Sequence, residues 1–170
     1  PSANEADVQA AIETASKAFE VSRNLPLHIR MKVLNQVADA LSKQHESFAQ
    51  LIAREGVKTI REARKEVSRC VDTLRLSAEE ARRIKGETIP FDQAPGSENR
   101  FGYFRRVPLG VITAITPFND PLNLVAHKIG PALAAGNTIV MKASEHAPAA
   151  LLEFGKLIAQ TDPVLATQSH

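Results

Sequence analysis

A chain of 170 residues, 44% apolar and 24% charged, is long enough for one ordinary core and balanced like a globular protein. Its 21 basic and 19 acidic side chains leave a net charge of +2, which makes no case for nucleic acid or an anionic membrane as a partner. The longest apolar runs, such as Val111–Ile115, are far too short to span a bilayer. The single cysteine, Cys70, excludes an internal disulfide and a Cys-rich zinc site, and no metal is expected. The opening PSANEADVQ lacks the basic-then-apolar pattern of a secretory signal, so a cytoplasmic location is expected.

The first half has helical periodicity. Val8, Ala11, Ile12, Ala15 and Phe19 fall on one face, with Ser2 or Asn4 as the cap. Pro26 suits a first helical turn, after which Ile29, Val33, Val37 and Leu41 repeat every four residues. Phe48, Leu51 and Ile52 continue in a further helix that Gly56 ends. Ile60, Ala63, Val67, Cys70 or Val71, Leu74, Ala78 and Ala81 form a fourth, longer stripe that Gly86 stops. Mixed charge on the outer faces is what solvation requires.

The pattern changes at Gly86. ETIPF and FGYFRRV read as extended segments around the turn-rich QAPGSEN. From Pro108 the texture is α/β: GVITAIT as a buried strand, Pro121–Ala135 as a helix, NTIVMK as a second buried strand, and Ala147–Gln160 as a second helix with Pro148 in its first turn. Strands alternating with helices imply parallel strands joined by right-handed crossovers.

In such a sheet, ligands bind beyond the carboxyl ends of the strands. Thr116–Asn119 and Lys142–Glu145 occupy those positions. A carboxylate there can accept both hydroxyls of a ribose, and a neighbouring lysine can add a bond or meet a phosphate. Asn119, fenced by Pro117 and Pro121, is a rigid amide donor of the kind that stabilises a developing oxyanion. An asparagine beside proline also forms turns, and Lys and Glu also suit a helix start. From the residues alone both readings stand.

PFNDP, GPALAAGN and KASE, with the spacing between them, resemble the aldehyde dehydrogenase superfamily. LIAREGVKTIREARKEV and GETIP extend the resemblance upstream, so that it covers about residues 8–160. It implies an aldehyde dehydrogenase-like α/β fold. Residues 1–85 would be a helical N-terminal part of the cofactor domain, 86–107 an extended oligomerisation arm, and 108–170 the start of a Rossmann-like NAD(P)-binding domain. It also implies a reaction. A cysteine thiolate attacks the aldehyde, the adduct passes hydride to NAD(P)+, and a glutamate-activated water hydrolyses the thioester.

By the same resemblance, Asn119 donates its amide to the thiohemiacetal oxyanion. Thr116, Pro117 and Phe118 lie at the nicotinamide end of the cofactor, and Lys142, Ser144 and Glu145 lie at the adenosine ribose. Glu145 disfavours a 2′-phosphate by like charge, so NAD is expected over NADP. Lys128 corresponds to a lysine that relays a proton near the catalytic base, although an ordinary surface lysine would also fit. The parent protein is expected to be a homodimer or homotetramer acting on a small aldehyde.

The family's nucleophilic cysteine and base glutamate lie downstream of the KASE region, and TDPVLATQSH departs from the family pattern. Cys70 falls on an apolar helical stripe, where an inert buried thiol is expected. The chain is therefore expected to be the front part of a longer enzyme, inactive alone, with open edges on its two parallel strands. The alternative is a non-catalytic remnant that binds nucleotide weakly or serves assembly. The helix over Thr59–Arg83 would line the aldehyde tunnel. Arg69 on it could clamp a carboxylate, phosphonate or sulfonate, or be a solvated helix residue. Asp120, where an aromatic is commoner, makes the tunnel more polar.

Overall fold

A computed structural model describes residues 3–56 and 58–161. Ser2, one of the two expected caps, and the residues from Asp162 onward lie outside that range. The other cap, Asn4, starts helix α1 (Glu5–Ser22): its side chain accepts from Asp7 N at 3.1 Å while Asp7 accepts from Asn4 N at 2.9 Å. Helix α2 (Leu27–Lys43) follows Pro26, and α3 (His45–Arg54) follows the one-residue bend at Gln44. Gly56, two residues past α3, has φ +74, a backbone state glycine adopts without strain. Helix α4 (Ile60–Ala81) begins with a second reciprocal cap between Thr59 and Glu62. It ends at Ala81, short of Gly86, the expected stop.

Helices α2, α3 and α4 bury most of the expected stripes against one another, although Ile60 at the start of the fourth stripe is exposed. Val33, Val37, Leu41, Phe48, Ile52, Val67, Cys70, Leu74 and Ala78 all belong to one apolar cluster. Each fully buried Leu or Phe side chain there is worth roughly 1.5–3 kcal/mol. The cluster continues into Val125, Ile129, Phe154 and Ile158 of the α/β part, where Phe154 meets Phe48 edge-on with ring centroids 6.4 Å apart.

Strands β1 (Glu87–Ile89) and β2 (Gly102–Phe104) pair antiparallel and form a projecting arm. Phe101, Tyr103 and Phe104 on it are exposed. Strands β3 (Val111–Ile115) and β4 (Thr138–Lys142) pair parallel, with Ala114 opposite Met141 and Ile115 opposite Lys142. Helix α5 (Asn123–Ala134) joins them and α6 (Ala149–Thr161) follows β4; both start two residues later than expected. Asn137, in the turn before β4, accepts from the amides of Leu109 and Gly110 at 2.6 and 3.0 Å and so sets the start of β3.

Two expectations about burial are corrected. Val8 and Ile12 of α1 are 49% and 40% exposed, because α1 meets the sheet only near its C-terminal half. There Thr138 Oγ1 donates to Ala15 O at 2.9 Å and Ser22 donates to Asn137 O at 3.4 Å. Strand β3 is not buried along its length: only Ala114 is, and Ile115 is 66% exposed. In β4, Thr138 is buried, the next three residues are half-buried and Lys142 is exposed. Among the described residues the sheet has two strands, so each has an open edge and no further neighbour.

Candidate active site

Parallel pairing brings the carboxyl ends of β3 and β4 side by side. Thr116 continues the ladder, its amide donating to Lys142 O at 3.2 Å and its hydroxyl to the same oxygen at 3.4 Å. Thr116 is buried, so its hydroxyl is spent on holding the two rim segments in register. One residue past Pro117, Phe118 packs edge-on against His146 of the β4–α6 loop, with centroids 5.4 Å apart. The two segments singled out in the sequence thus form one continuous rim.

Asn119, Lys142 and Glu145 are all exposed on it, and Ser144 is half-buried. Lys142 Nζ donates to the neighbouring Ala143 carbonyl at 3.3 Å, and Ser144 Oγ accepts from His146 N at 3.3 Å. Glu145 has no ion-pair partner among the described residues. A long cation and an unpaired carboxylate on an open rim suit a diol such as a ribose. Lys128 lines a groove of about 410 Å³ along β3, with His127, Pro131 and Ile112–Ile115.

Arg69 and Asp120, both singled out in the sequence, are brought together: Arg69 Nη2 donates to Asp120 Oδ1 at 2.6 Å. Lys58 Nζ contacts the same Oδ1. Partial burial pushes the Asp120 pKa up, but the two cations outweigh it and hold the group below its ordinary value. Lys58 also lies 2.6 Å from Glu66 Oε2, an ion contact without hydrogen-bond alignment. Glu66 is fully buried, and its Oε1 accepts from the amides of Leu122 and Asn123, at 2.8 and 3.0 Å. A carboxylate therefore caps α5 from outside the helix. Glu55 does the same for α6, accepting from Ala149 N at 2.7 Å and Ala150 N at 3.3 Å. Because protein carboxylates fill both helix starts, those amides are not open to a ligand phosphate.

Sequence reasoning missed Lys58, Glu66 and Glu55. One signal was present for Glu66: it falls on the buried face of α4, three residues after Ala63 and four before Cys70. A charged residue on an apolar stripe implies a partner. The same face continues as a polar seam against α5. Cys70 Sγ points at Leu122 O at 3.8 Å and Thr73 bonds Asn123 Oδ1 at 3.1 Å. Ser77 lies so close to Gly130 that a Cβ there would come within 2.3 Å of its Oγ. The Cys70 thiol is buried and its pKa is pushed up, by burial first and by the Glu66 charge second, which makes it a poor nucleophile. No described helix is long and apolar enough to cross a membrane.

The chain is 56% identical over 143 residues to an aldehyde-dehydrogenase-like protein, y4uC, of Sinorhizobium fredii, covering 84% of this chain and 28% of that protein. It is 47% identical to a 3-sulfolactaldehyde dehydrogenase of Priestia aryabhattai, covering 91% of this chain and 32% of the relative. Its fold superposes on the glyceraldehyde-3-phosphate dehydrogenase GapN of Methanocaldococcus jannaschii, solved with NADP. The TM-score is 0.89 and the identity 38%, over 98% of this chain and 35% of that one. The chain thus spans about a third of the length of these relatives. The matched stretch carries the rim, its two prolines and the carboxylates behind it. The model of the aldehyde dehydrogenase family matches residues 1–163, and the chain belongs to that family.

Proposed function

We propose that the protein carrying this chain oxidises a small anionic aldehyde to the carboxylic acid with NAD(P)+. The observation that carries the reading is the rim, where Asn119 on one loop and Lys142 and Glu145 on the next stand exposed beside each other in a member of this family. In this reading Asn119 donates its amide to the oxyanion, with Pro117 and Phe118 flanking it. Lys142, Ser144 and Glu145 hold the adenosine ribose. Thr116 keeps the two segments aligned. Lys128 takes part in the proton relay. Bound NAD(P)+ supplies the hydride acceptor. The unpaired Glu145 carboxylate favours NAD, since a 2′-phosphate beside it would repel.

Arg69 supports the anionic substrate. It is about half exposed, at 55%, and carries a planar fork suited to two oxygens of a carboxylate, sulfonate or phosphate. Asp120 holds one nitrogen of that fork and orients it. The names of two relatives, for 3-sulfolactaldehyde and glyceraldehyde-3-phosphate, also describe anionic aldehydes. The exposed aromatics of the arm, Phe101, Tyr103 and Phe104, suit a homodimer or homotetramer, and a cytoplasmic setting fits the composition.

The test is a panel of aldehydes matched in length, with and without a terminal anion, assayed on the protein that carries this chain and on Arg69→Leu. Wild type is expected to prefer the anionic members and Arg69→Leu to lose that preference. A wild type that prefers neutral aldehydes, or an Arg69→Leu variant with the same ranking, overturns the substrate class. A second reading concerns the 170 residues alone. Their one thiol is buried and a poor nucleophile, which favours a non-catalytic role for this portion, in weak nucleotide binding or in assembly.

A further inference from the structure

The oxyanion donor sits on a turn, and a turn holds an amide at a fixed angle only if something holds the turn. Pro117 and Pro121 restrict φ on either side of Asn119 but do not anchor the segment to the body of the protein. The anchors come from the α3–α4 loop and from α4. Glu66 takes the amides of Leu122 and Asn123 on one oxygen, three and four residues past Asn119. Its other oxygen faces Lys58 Nζ at 2.6 Å, and the same Nζ reaches Asp120, the residue next to Asn119. One ammonium thus bridges two carboxylates, one at the start of α5 and one in the turn itself.

Lys58 differs in kind from Arg69, which also touches Asp120. The Lys58 side chain is 15% exposed and rests on a fully buried charge, whereas Arg69 is 55% exposed. A buried charge left without its partner is costly, so the Lys58–Glu66 contact persists whatever occupies the rim. An exposed Arg has nitrogens open to a ligand and can shift toward it. Lys58 is therefore the constant member of the cluster and Arg69 the exchangeable one.

We propose that Lys58, seated on the buried Glu66 carboxylate, is a positioning residue that sets the angle of the Asn119 amide through Asp120. The inference rests on the reading of Asn119 as oxyanion donor. It assigns Lys58 no contact with substrate or cofactor. Misplacing a donor by a fraction of an ångström weakens the interaction that forms only in the transition state, so the loss belongs in kcat.

The experiment is a double-mutant cycle in the protein that carries this chain, with a neutral small aldehyde so that Arg69 chemistry does not enter. Lys58→Met, Asn119→Ala and the pair are compared for kcat, KM and cofactor dissociation constant. Lys58→Met is expected to lower kcat about tenfold or more while KM and cofactor affinity stay within about twofold. On the Asn119→Ala background the same change is expected to lower kcat by less than about twofold, because the amide it positions is gone. Lys58→Arg, which keeps a cation between the two carboxylates, is expected to recover most of the rate.

An unchanged kcat in Lys58→Met overturns the inference, and so does a loss of equal size on both backgrounds. If Asn119→Ala itself leaves kcat intact, the oxyanion assignment falls first and the inference falls with it. Should Lys58→Met fail to fold, Glu66→Gln takes its place in the cycle. It keeps an acceptor for Leu122 and Asn123 but removes the charge under Lys58, and the same pattern of loss decides the case.

Discussion

The two rim segments are built in opposite ways. The turn carrying Asn119 is tied down on both sides of that residue: Thr116 to the β4 end, Asp120 to two cations, and Leu122 and Asn123 to a buried carboxylate. The Lys142–Glu145 segment shares the Thr116 bonds at Lys142 O, and beyond them its side chains make only local bonds, from Lys142 to Ala143 and from His146 N to Ser144. In the proposed reading the difference matches the task of each segment. A donor aimed at charge that develops for an instant must be in place beforehand, since reorganising at that moment raises the barrier. Groups that hold a stable ligand can be ordered by it on arrival, at the cost of some affinity.

The largest expected effect lies on the rigid side. Asn119→Ala is expected to lower kcat by about 10²–10³ while changing KM far less, as for other oxyanion donors. Steady-state kinetics on the protein that carries this chain checks it. A rise in KM with kcat unchanged would make Asn119 a turn residue and erase the contrast between the segments.

On the loose side the effect is expected in binding. Glu145→Ala should weaken NAD+ by roughly 1–3 kcal/mol, the range for losing hydrogen bonds to a charged group, with kcat at saturation little changed. Titration of the cofactor measures it. An unaltered dissociation constant removes Glu145 from the ribose. A gain in NADP+ binding in the same variant would show that its charge selects against the 2′-phosphate.

The smallest expected effect concerns the titration of Asp120 between Lys58 and Arg69. Asp120 has its native pKa held below the ordinary carboxylate value of about 3.9. A depressed native pKa contributes stability that is fully present above the unfolded value and is lost as pH falls through the native one. Wild type is therefore expected to exceed Asp120→Asn in stability near neutral pH by on the order of 1 kcal/mol, the scale of one charge-assisted contact near the surface. That gap should close only on the acid side of the ordinary carboxylate range. Urea unfolding of both proteins across a pH series measures it. A gap that does not depend on pH would assign the difference to packing and not to the ion pairs.

Much of this molecule is determined locally and was legible in the sequence. Asn4 starts its helix by a bond that closes over three residues, and the stripes Val33–Val37–Leu41 and Ala63–Val67–Leu74 need only helical periodicity. The meeting of the two strand ends was legible for a similar reason, since strands alternating with helices pair in parallel and bring their carboxyl ends together. Tertiary structure alone decided what depends on a neighbour far along the chain. Val8, Ile12 and Ile115 have apolar side chains in apolar patterns, yet they are exposed because burial needs a covering surface and the described residues supply none. The pairing of Glu66 with Leu122, and of Lys58 with Asp120, spans 56 and 62 residues. No period or spacing encodes such a contact. It exists because α4 packs along α5, and because a charge buried in that seam must find its partner there.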